Sequence, residues 1–329
     1  MKEFKGKVVF IAGGGSGAGL GQAELFGSLG SRVVIADIRK DHLADAVRKL
    51  SAKGIDVLPI QLDLTDRKAY AVAADLVEIK FGTPPELVIL TAGVNTFGPA
   101  EATTFEDFDW VMGVCLGGVI NGLVTFVPRM IKAGIRGHIA AVSSMGAFMG
   151  GPGCAPYSAA KAAVNNLMES YYQSLKDYGI GVTVQCPGNI NSNIWDAVAT
   201  RPAHLQNTGY NVSDKTKAVL KSIHSEGINP VELAMQLKIA IENEQFLTIP
   251  MDNPEQMLRS LYETYINYST PEGMKRIAEA QKAQQEMARK MAEENADKAP
   301  VGFESYEGTG YGKARGDIDW LPEGKKFRG

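Results

Sequence analysis

Down to about residue 250, short β-branched apolar runs alternate with longer stretches of helical periodicity, the pattern of βαβ units around a parallel sheet. The apolar runs predict strands at 7–12, 32–37, 55–62, 87–91, 138–143, 182–186 and 246–249. Unbroken hydrophobicity, as in the Val-Val-Phe-Ile-Ala run at 8–12, fits strands covered on both faces. No composition break divides these runs. They are expected to form one α/β domain over residues 1–253, a doubly wound Rossmann domain with a seven-stranded parallel sheet.

The apolar stretch 111–127 holds Asn121 and four glycines and follows Glu106, Asp107 and Asp109. A membrane span needs about 20 mostly apolar residues, so a buried helix is expected here and no membrane partner. Residues 193–227, punctuated by Pro202, Gly209 and Gly227, have the composition of a lid over bound substrate. Past Pro254 the pattern changes to a C-terminal helical extension and tail, residues 254–329. In 271–298, Met274, Ile277, Ala278, Met287 and Met291 recur at helical spacing, and Pro271 suits a first turn. The stretch 300–329 carries Phe303, Tyr306, Tyr311, Trp320 and Phe327, so this tail is expected to dock on its own subunit or a neighbour.

Composition narrows the class. With 329 residues, 45% hydrophobic and 22% charged, the chain can bury a sizeable core. A formal charge of −3 with acids and bases interspersed argues against nucleic acid as a partner. Cys115, Cys154 and Cys186 make no CxxC, and the four histidines make no HExxH, so no metal site is expected. An odd, small cysteine count without a secretory leader fits a reducing cytoplasm.

Candidate chemistry starts directly after the first predicted strand. Gly13, Gly17 and Gly19 lie in a turn that also holds Ser16 and Ala18 and leads into a helical pattern. Such a turn lets the backbone approach a pyrophosphate, with the helix N-terminus supplying amides and a favourable dipole. The second strand ends at Asp37, eighteen residues beyond Gly19, where a carboxylate can bind the adenosine ribose and repel a 2′-phosphate. That favours NAD over NADP, although Asp37 could instead cap the next helix and Arg39 could offset the repulsion. Asp63 and Leu64, and Thr91, Ala92 and Gly93, fall at strand carboxyl ends and outline an adenine pocket.

Ser143 and Ser144 end the fifth strand, and Tyr157 follows Ser144 by thirteen positions. Lys161 comes one helical turn after Tyr157, on the same face. A nearby ammonium favours phenolate over phenol, so this tyrosine could accept a proton nearer neutrality, with Ser144 holding the substrate oxygen. Taken alone, Tyr157 and Lys161 could also be an ordinary surface pair.

Together these residues resemble the short-chain dehydrogenase/reductase family, over about residues 5–250. Its TGxxxGxG pattern reads Ala12-Gly13 through Gly17-Ala18-Gly19, with alanine replacing threonine. Its NNAG reads Leu90-Thr91-Ala92-Gly93, its triad Ser144, Tyr157 and Lys161, and its PG motif Pro187-Gly188. The resemblance implies that Lys161 also binds the nicotinamide ribose and that Ile190 and Ser192 meet the carboxamide. It also implies that Ile38 joins the cofactor set. Cys115 stands where the family carries an asparagine that holds a water on the proton exit route. Since any residue supplies the backbone carbonyl there, activity is expected to survive, with Cys115 a small, semi-buried side chain. Gly113, Gly117, Gly118 and Gly122 read as a close-packing face. It would serve either the helical contact of a homodimer or homotetramer or packing on the chain's own sheet.

Within the family, 92–99, 108–110, 121–130 and 157–161 are most similar to bacterial NAD-dependent Cα-dehydrogenases, which oxidise the benzylic alcohol of lignin-derived β-aryl ethers. Phe97, Met145, Phe148, Met149, Cys154 and Trp195 are candidates for an apolar substrate pocket, or equally for the core. The expected activity is NAD-dependent interconversion of a bulky secondary alcohol and its ketone. A hydroxysteroid dehydrogenase and a non-catalytic NAD-binding regulator are the alternatives.

Overall fold

The computed structural model describes residues 1–210 and 214–294, which fall into two compact units divided between Met251 and Asp252. In chain order the first unit contains β1 (Val8–Ala12), α1 (Gly17–Ser28), β2 (Arg32–Asp37), α2 (Lys40–Ser51), β3 (Val57–Gln61) and α3 (Arg67–Phe81). It continues with β4 (Leu87–Leu90), α4 (Phe105–Met112), α5 (Gly118–Lys132), β5 (His138–Val142) and α6 (Ala155–Ser174). It ends with β6 (Gly181–Gln185), α7 (Asp214–Ser225), α8 (Pro230–Glu242) and β7 (Leu247–Thr248). The second unit holds α9 (Pro254–Tyr268) and α10 (Pro271–Glu294).

All seven strands pair in parallel, in the order β3-β2-β1-β4-β5-β6-β7. The central strands β1, β4 and β5 are buried at every position, as strands covered by helices on both faces must be. One face packs Ile11, Ile35 and Ile89 against Phe26 of α1 and Leu237 and Ile241 of α8. On the other, Phe10 meets Phe126 of α5 with ring centroids 4.6 Å apart. The edge strand β7 pairs only through Leu247 and Thr248, so it is shorter than its apolar run. The winding runs outward from β1 through β2 to β3 and then returns to β4 beside β1. That reversal opens a crevice at the strand carboxyl ends, where sheets of this kind bind ligands.

The apolar stretch 111–127 is helical, as expected, and belongs to a longer run. Residues 105–132 make one helical run broken by a π turn at Gly113–Gly117, and it is long and apolar enough by composition to cross a membrane. Here one face serves the core, through Leu123, Phe126 and Met130, while Val124 on the other side is 62% exposed. The expected buried helix is thus present, with Ile120 and Val124 as the exposed residues of 111–127. Two of its four glycines are tightly packed: a Cβ on Gly122 would stand 2.5 Å from Leu90 Cδ2 and one on Gly118 3.1 Å from Leu64 Cβ, whereas one on Gly113 or Gly117 would meet nothing closer than 3.6 Å. Gly118 and Gly122 therefore serve packing on the chain's own sheet.

Segment 192–226 leaves the sheet framework and returns to it at one place. Ile190 and Ile228 form an isolated parallel bridge, with Asn191 N donating to Ile228 O at 3.1 Å and Ile228 N to Asn189 O at 3.0 Å. Within the second unit, Arg276 Nη2 of α10 donates to Asn267 Oδ1 of α9 at 2.8 Å. Residues 300–329, where docking of the tail was expected, lie outside the described residues.

Candidate active site

The turn after β1 is fixed by backbone bonds to its neighbours. Gly13 N donates to Ala36 O at 2.7 Å, and Thr91 N and Ala92 N both donate to Ala12 O at 3.0 Å. Gly17 has φ +49, and a Cβ on Gly19 would stand 2.0 Å from the Gly13 carbonyl oxygen, so the turn closes only with glycine at these places. Ser16 then precedes α1, whose first amides are free to face a ligand.

Asp37, ending β2, accepts the Gly15 amide at 3.1 Å and the Arg39 amide at 3.0 Å. The Arg39 side chain points elsewhere: Nε donates to Asp41 Oδ1 at 2.9 Å, and Nη1 lies 3.8 Å from Asp196 Oδ2. Asp63 accepts from the backbone and hydroxyl of Thr65, and Asn121 Nδ2 donates to Leu64 O at 2.8 Å. Thr91 Oγ1 donates to Gln22 Oε1 at 2.6 Å, tying the end of β4 to α1.

The chemical end is built from β5 and α6. Ser144 follows β5 by two residues in an extended conformation, and its Oγ accepts the Gly146 amide at 3.0 Å. Gly146 leaves the space between serine and tyrosine open: a Cβ there would stand 3.5 Å from Ser144 Oγ and 3.6 Å from Tyr157 Cε1. Pro156 lies in the first turn of α6, as proline prefers, and Tyr157 and Lys161 follow on one face. Lys161 is buried, its Nζ donates to Val142 O at 2.8 Å, and it lies 5.6 Å from the centroid of the Tyr157 ring. Burial pulls the lysine pKa down, with the buried Cys115 and Cys186 acting in the opposite sense.

A single cavity of about 660 Å³ is lined by every one of the predicted catalytic and cofactor residues except Gly19, which supports the turn from behind. The fit to a dinucleotide rests on two features. The glycine turn is a cradle that side chains would fill, since a Cβ on Gly17 would stand 2.7 Å from Ser192 Cβ. The buried Nδ1 of His224, whose side chain lines the cavity, has no hydrogen-bond partner among the described residues. A polar ligand would meet both.

Phe97, Met145, Phe148, Met149, Cys154 and Trp195 are absent from the lining of this cavity. Cys154 is buried and donates to Gly151 O at 3.3 Å, while Trp195 receives the Lys221 ammonium over its ring at 5.2 Å. The cavity wall instead includes Val94, Trp110, Ala197, Thr200, Pro202 and Leu205. Ala197, Thr200, Pro202 and Leu205 fall in the 193–227 stretch read as a lid, whereas Val94 and Trp110 were not singled out as pocket residues. Cys115 is fully rather than partly buried, because the π turn swings it inward against Val94. Burial also pushes its thiol pKa up, which suits an inert side chain.

These features have relatives. A family model described as short chain dehydrogenase matches residues 7–203. The C alpha-dehydrogenase of Sphingobium sp. strain SYK-6 is 49% identical over 285 residues, covering 85% of this chain and 93% of that protein. The crystal structure of the LigD apo form from the same strain aligns with TM-score 0.68 at 44% identity, over 82% of this chain and 100% of that one. A short-chain dehydrogenase/reductase from Burkholderia phymatum in complex with NAD aligns with TM-score 0.74 at 29% identity, over 82% and 96%. The sheet order, the glycine turn and these matches agree, and the chain belongs to the short-chain dehydrogenase family of oxidoreductases.

Proposed function

We propose that this enzyme is an NAD-dependent dehydrogenase interconverting a bulky secondary alcohol and its ketone, with the benzylic carbinol of lignin-type aryl ethers as substrate class. The observation that carries the reading is the placing of Ser144, Tyr157 and Lys161 on the wall of the same cavity as the glycine turn and Asp37. The 49% identity to a C alpha-dehydrogenase supports the substrate class.

Bound NAD supplies the hydride acceptor. The Gly13–Gly19 turn and the first amides of α1 hold the pyrophosphate, and Asp37 takes the adenosine ribose. A 2′-phosphate would meet the Asp37 carboxylate, and Arg39, engaged by Asp41, is not turned to compensate for it. Ser144 Oγ holds the substrate oxygen, and Tyr157 Oη takes its proton. Ammonium and phenolate favour each other across the Lys161–Tyr157 pair, which opposes the burial penalty on the lysine. The Val142 carbonyl fixes that ammonium in place.

The same reading takes the chain as a cytoplasmic homodimer or homotetramer. The free, buried cysteines support a reducing compartment, and the exposed Ile120 and Val124 of α5 support self-association. Incubating the protein with NAD and a panel of benzylic aryl-ether alcohols and hydroxysteroids, while following NADH absorbance, tests the activity. Turnover of the aryl ethers is expected. Preference for the steroids would replace the substrate class, and NAD binding with no turnover of either group would indicate a regulator.

A further inference from the structure

Arg201 is a charged residue whose side chain is only 2% exposed, and it meets Asp107, at 0%, with Nη1 donating to Oδ1 at 2.6 Å. Its other nitrogens are used as well. Nη2 donates to Asn207 O at 2.9 Å, Nε donates to Leu205 O, and the guanidinium lies over the Trp110 ring at 5.2 Å. Segment 201–207 therefore curls around its own arginine and plants it on α4. Asp107 serves both sides, because its second oxygen accepts the Thr104 amide at 2.9 Å and closes the N-terminal box of α4. Around this pair, Thr104 Oγ1 donates to Asn207 O at 2.9 Å, and Tyr210 OH meets Thr103 Oγ1 at 2.6 Å. The Tyr210 ring fits only over a glycine, since a Cβ on Gly98 would stand 1.8 Å from it.

The residues flanking this arginine are cavity residues. Thr200, Pro202, His204 and Leu205 line it from the segment side and Trp110 from α4. Apart from the arginine's contacts, the hydrogen bonds of 200–205 among the described residues are local: Thr200 Oγ1 to Ala197 O, Leu205 N to Pro202 O and Gln206 Nε2 to Arg201 O. Such bonds shape the segment but do not place it.

We propose that Arg201 is a positioning residue for substrate selectivity: anchored on Asp107 and Trp110, it fixes 200–205 as the wall that a bulky substrate packs against. The inference rests on the dehydrogenase reading above. The first half of the expected lid is then a fixed wall with a buried ionic anchor. A planar guanidinium satisfied at all three nitrogens specifies one arrangement in a way that an apolar contact does not.

The test replaces both partners, Arg201→Met with Asp107→Asn, so that no lone charge stays buried and an acceptor remains for Thr104. Arg201→Lys is the second variant and keeps charge without the fork. At saturating NAD, kcat and KM are measured for a benzylic aryl-ether alcohol and for 1-phenylethanol. Cleavage within 197–210 by a nonspecific protease is followed on the full-length protein with NAD present. Positioning requires the bulky-over-small ratio of kcat/KM to fall about tenfold in the double variant, carried by KM, with the lysine variant in between. It also requires cleavage in 197–210 to rise about tenfold relative to cleavage elsewhere, since cleavage follows the opened population. A selectivity ratio or a cleavage rate close to the parent's overturns the proposal. If the parent itself leaves the bulky alcohol untouched, the substrate class fails, and the cleavage rate alone decides the anchor.

Discussion

Cys115 and Val94 hold each other in both directions: Sγ donates to the Val94 carbonyl at 3.2 Å and accepts the Val94 amide at 3.4 Å. A side chain that both donates and accepts is needed there, and asparagine is another. Cys115→Ala leaves a buried amide and carbonyl unpaired, which costs about 1–3 kcal/mol for each group. A lower midpoint in urea denaturation is expected for the alanine variant, with turnover in Cys115→Asn close to the parent's. Parent-like stability in the alanine variant, or total loss of turnover in the asparagine variant, would show that the thiol has another role.

His138 sets an acid limit on stability. Its Nε2 faces Thr183 Oγ1 at 2.8 Å, and that hydroxyl donates onward to Gln245 O at 2.7 Å, so Nε2 carries the proton. Nδ1 is buried without a partner among the described residues, and burial lowers the pKa from 6.5 to about 3. Between those values the unfolded chain binds a proton that the folded one excludes. The contribution is therefore whole above pH 6.5 and declines as pH falls toward 3. The slope is at most about 1.4 kcal/mol per pH unit. Urea denaturation at a series of pH values should show this decline and its flattening in His138→Gln; an identical slope in the variant would refute it.

Cofactor choice should follow Asp37. Removing the Asp37 carboxylate removes the repulsion of a 2′-phosphate, while Arg39 stays engaged by Asp41. Asp37→Ser should raise the ratio of kcat/KM for NADP over NAD by about tenfold, the scale of a lost charge interaction of 1–2 kcal/mol. Steady-state rates with both cofactors measure it, and an unchanged ratio would remove Asp37 from the selectivity.

Tyr157→Phe should lower turnover by about 10²–10⁴, the usual range for losing a general acid–base group, while NADH still binds. Lys161→Met should lower turnover and also weaken NADH binding, because it removes a group from the cavity wall as well as from the tyrosine. Fluorescence titration with NADH separates the two variants. A phenylalanine variant with full rate would end the proposed chemistry.

What could be read from sequence alone was local. Each strand was a run of adjacent apolar residues, and their parallel order follows from the alternation with helices. Tyr157 and Lys161 are one helical turn apart, so their pairing needed no tertiary information, whereas Ser144 reaches them across the loop 145–154. The Arg201–Asp107 pair joins residues 94 positions apart, and nothing near either one marks the other. Apolar residues close in sequence to Ser144 were a poor guide to the cavity wall, which comes from α4 and from 194–205. Likewise, four glycines of the apolar helix signalled close approach without saying which would make it or toward which neighbour, and only Gly118 and Gly122 do so, against Leu64 and Leu90.

The parallel bridge between Ile190 and Ile228 has an evolutionary corollary. The chain on either side of the excursion meets at that one crossing, so the cavity wall at 197–205 is carried on a part of the chain separate from β5, α6 and the reacting side chains they hold. Substitutions in that wall can widen or narrow the substrate range while the chemistry stays in place.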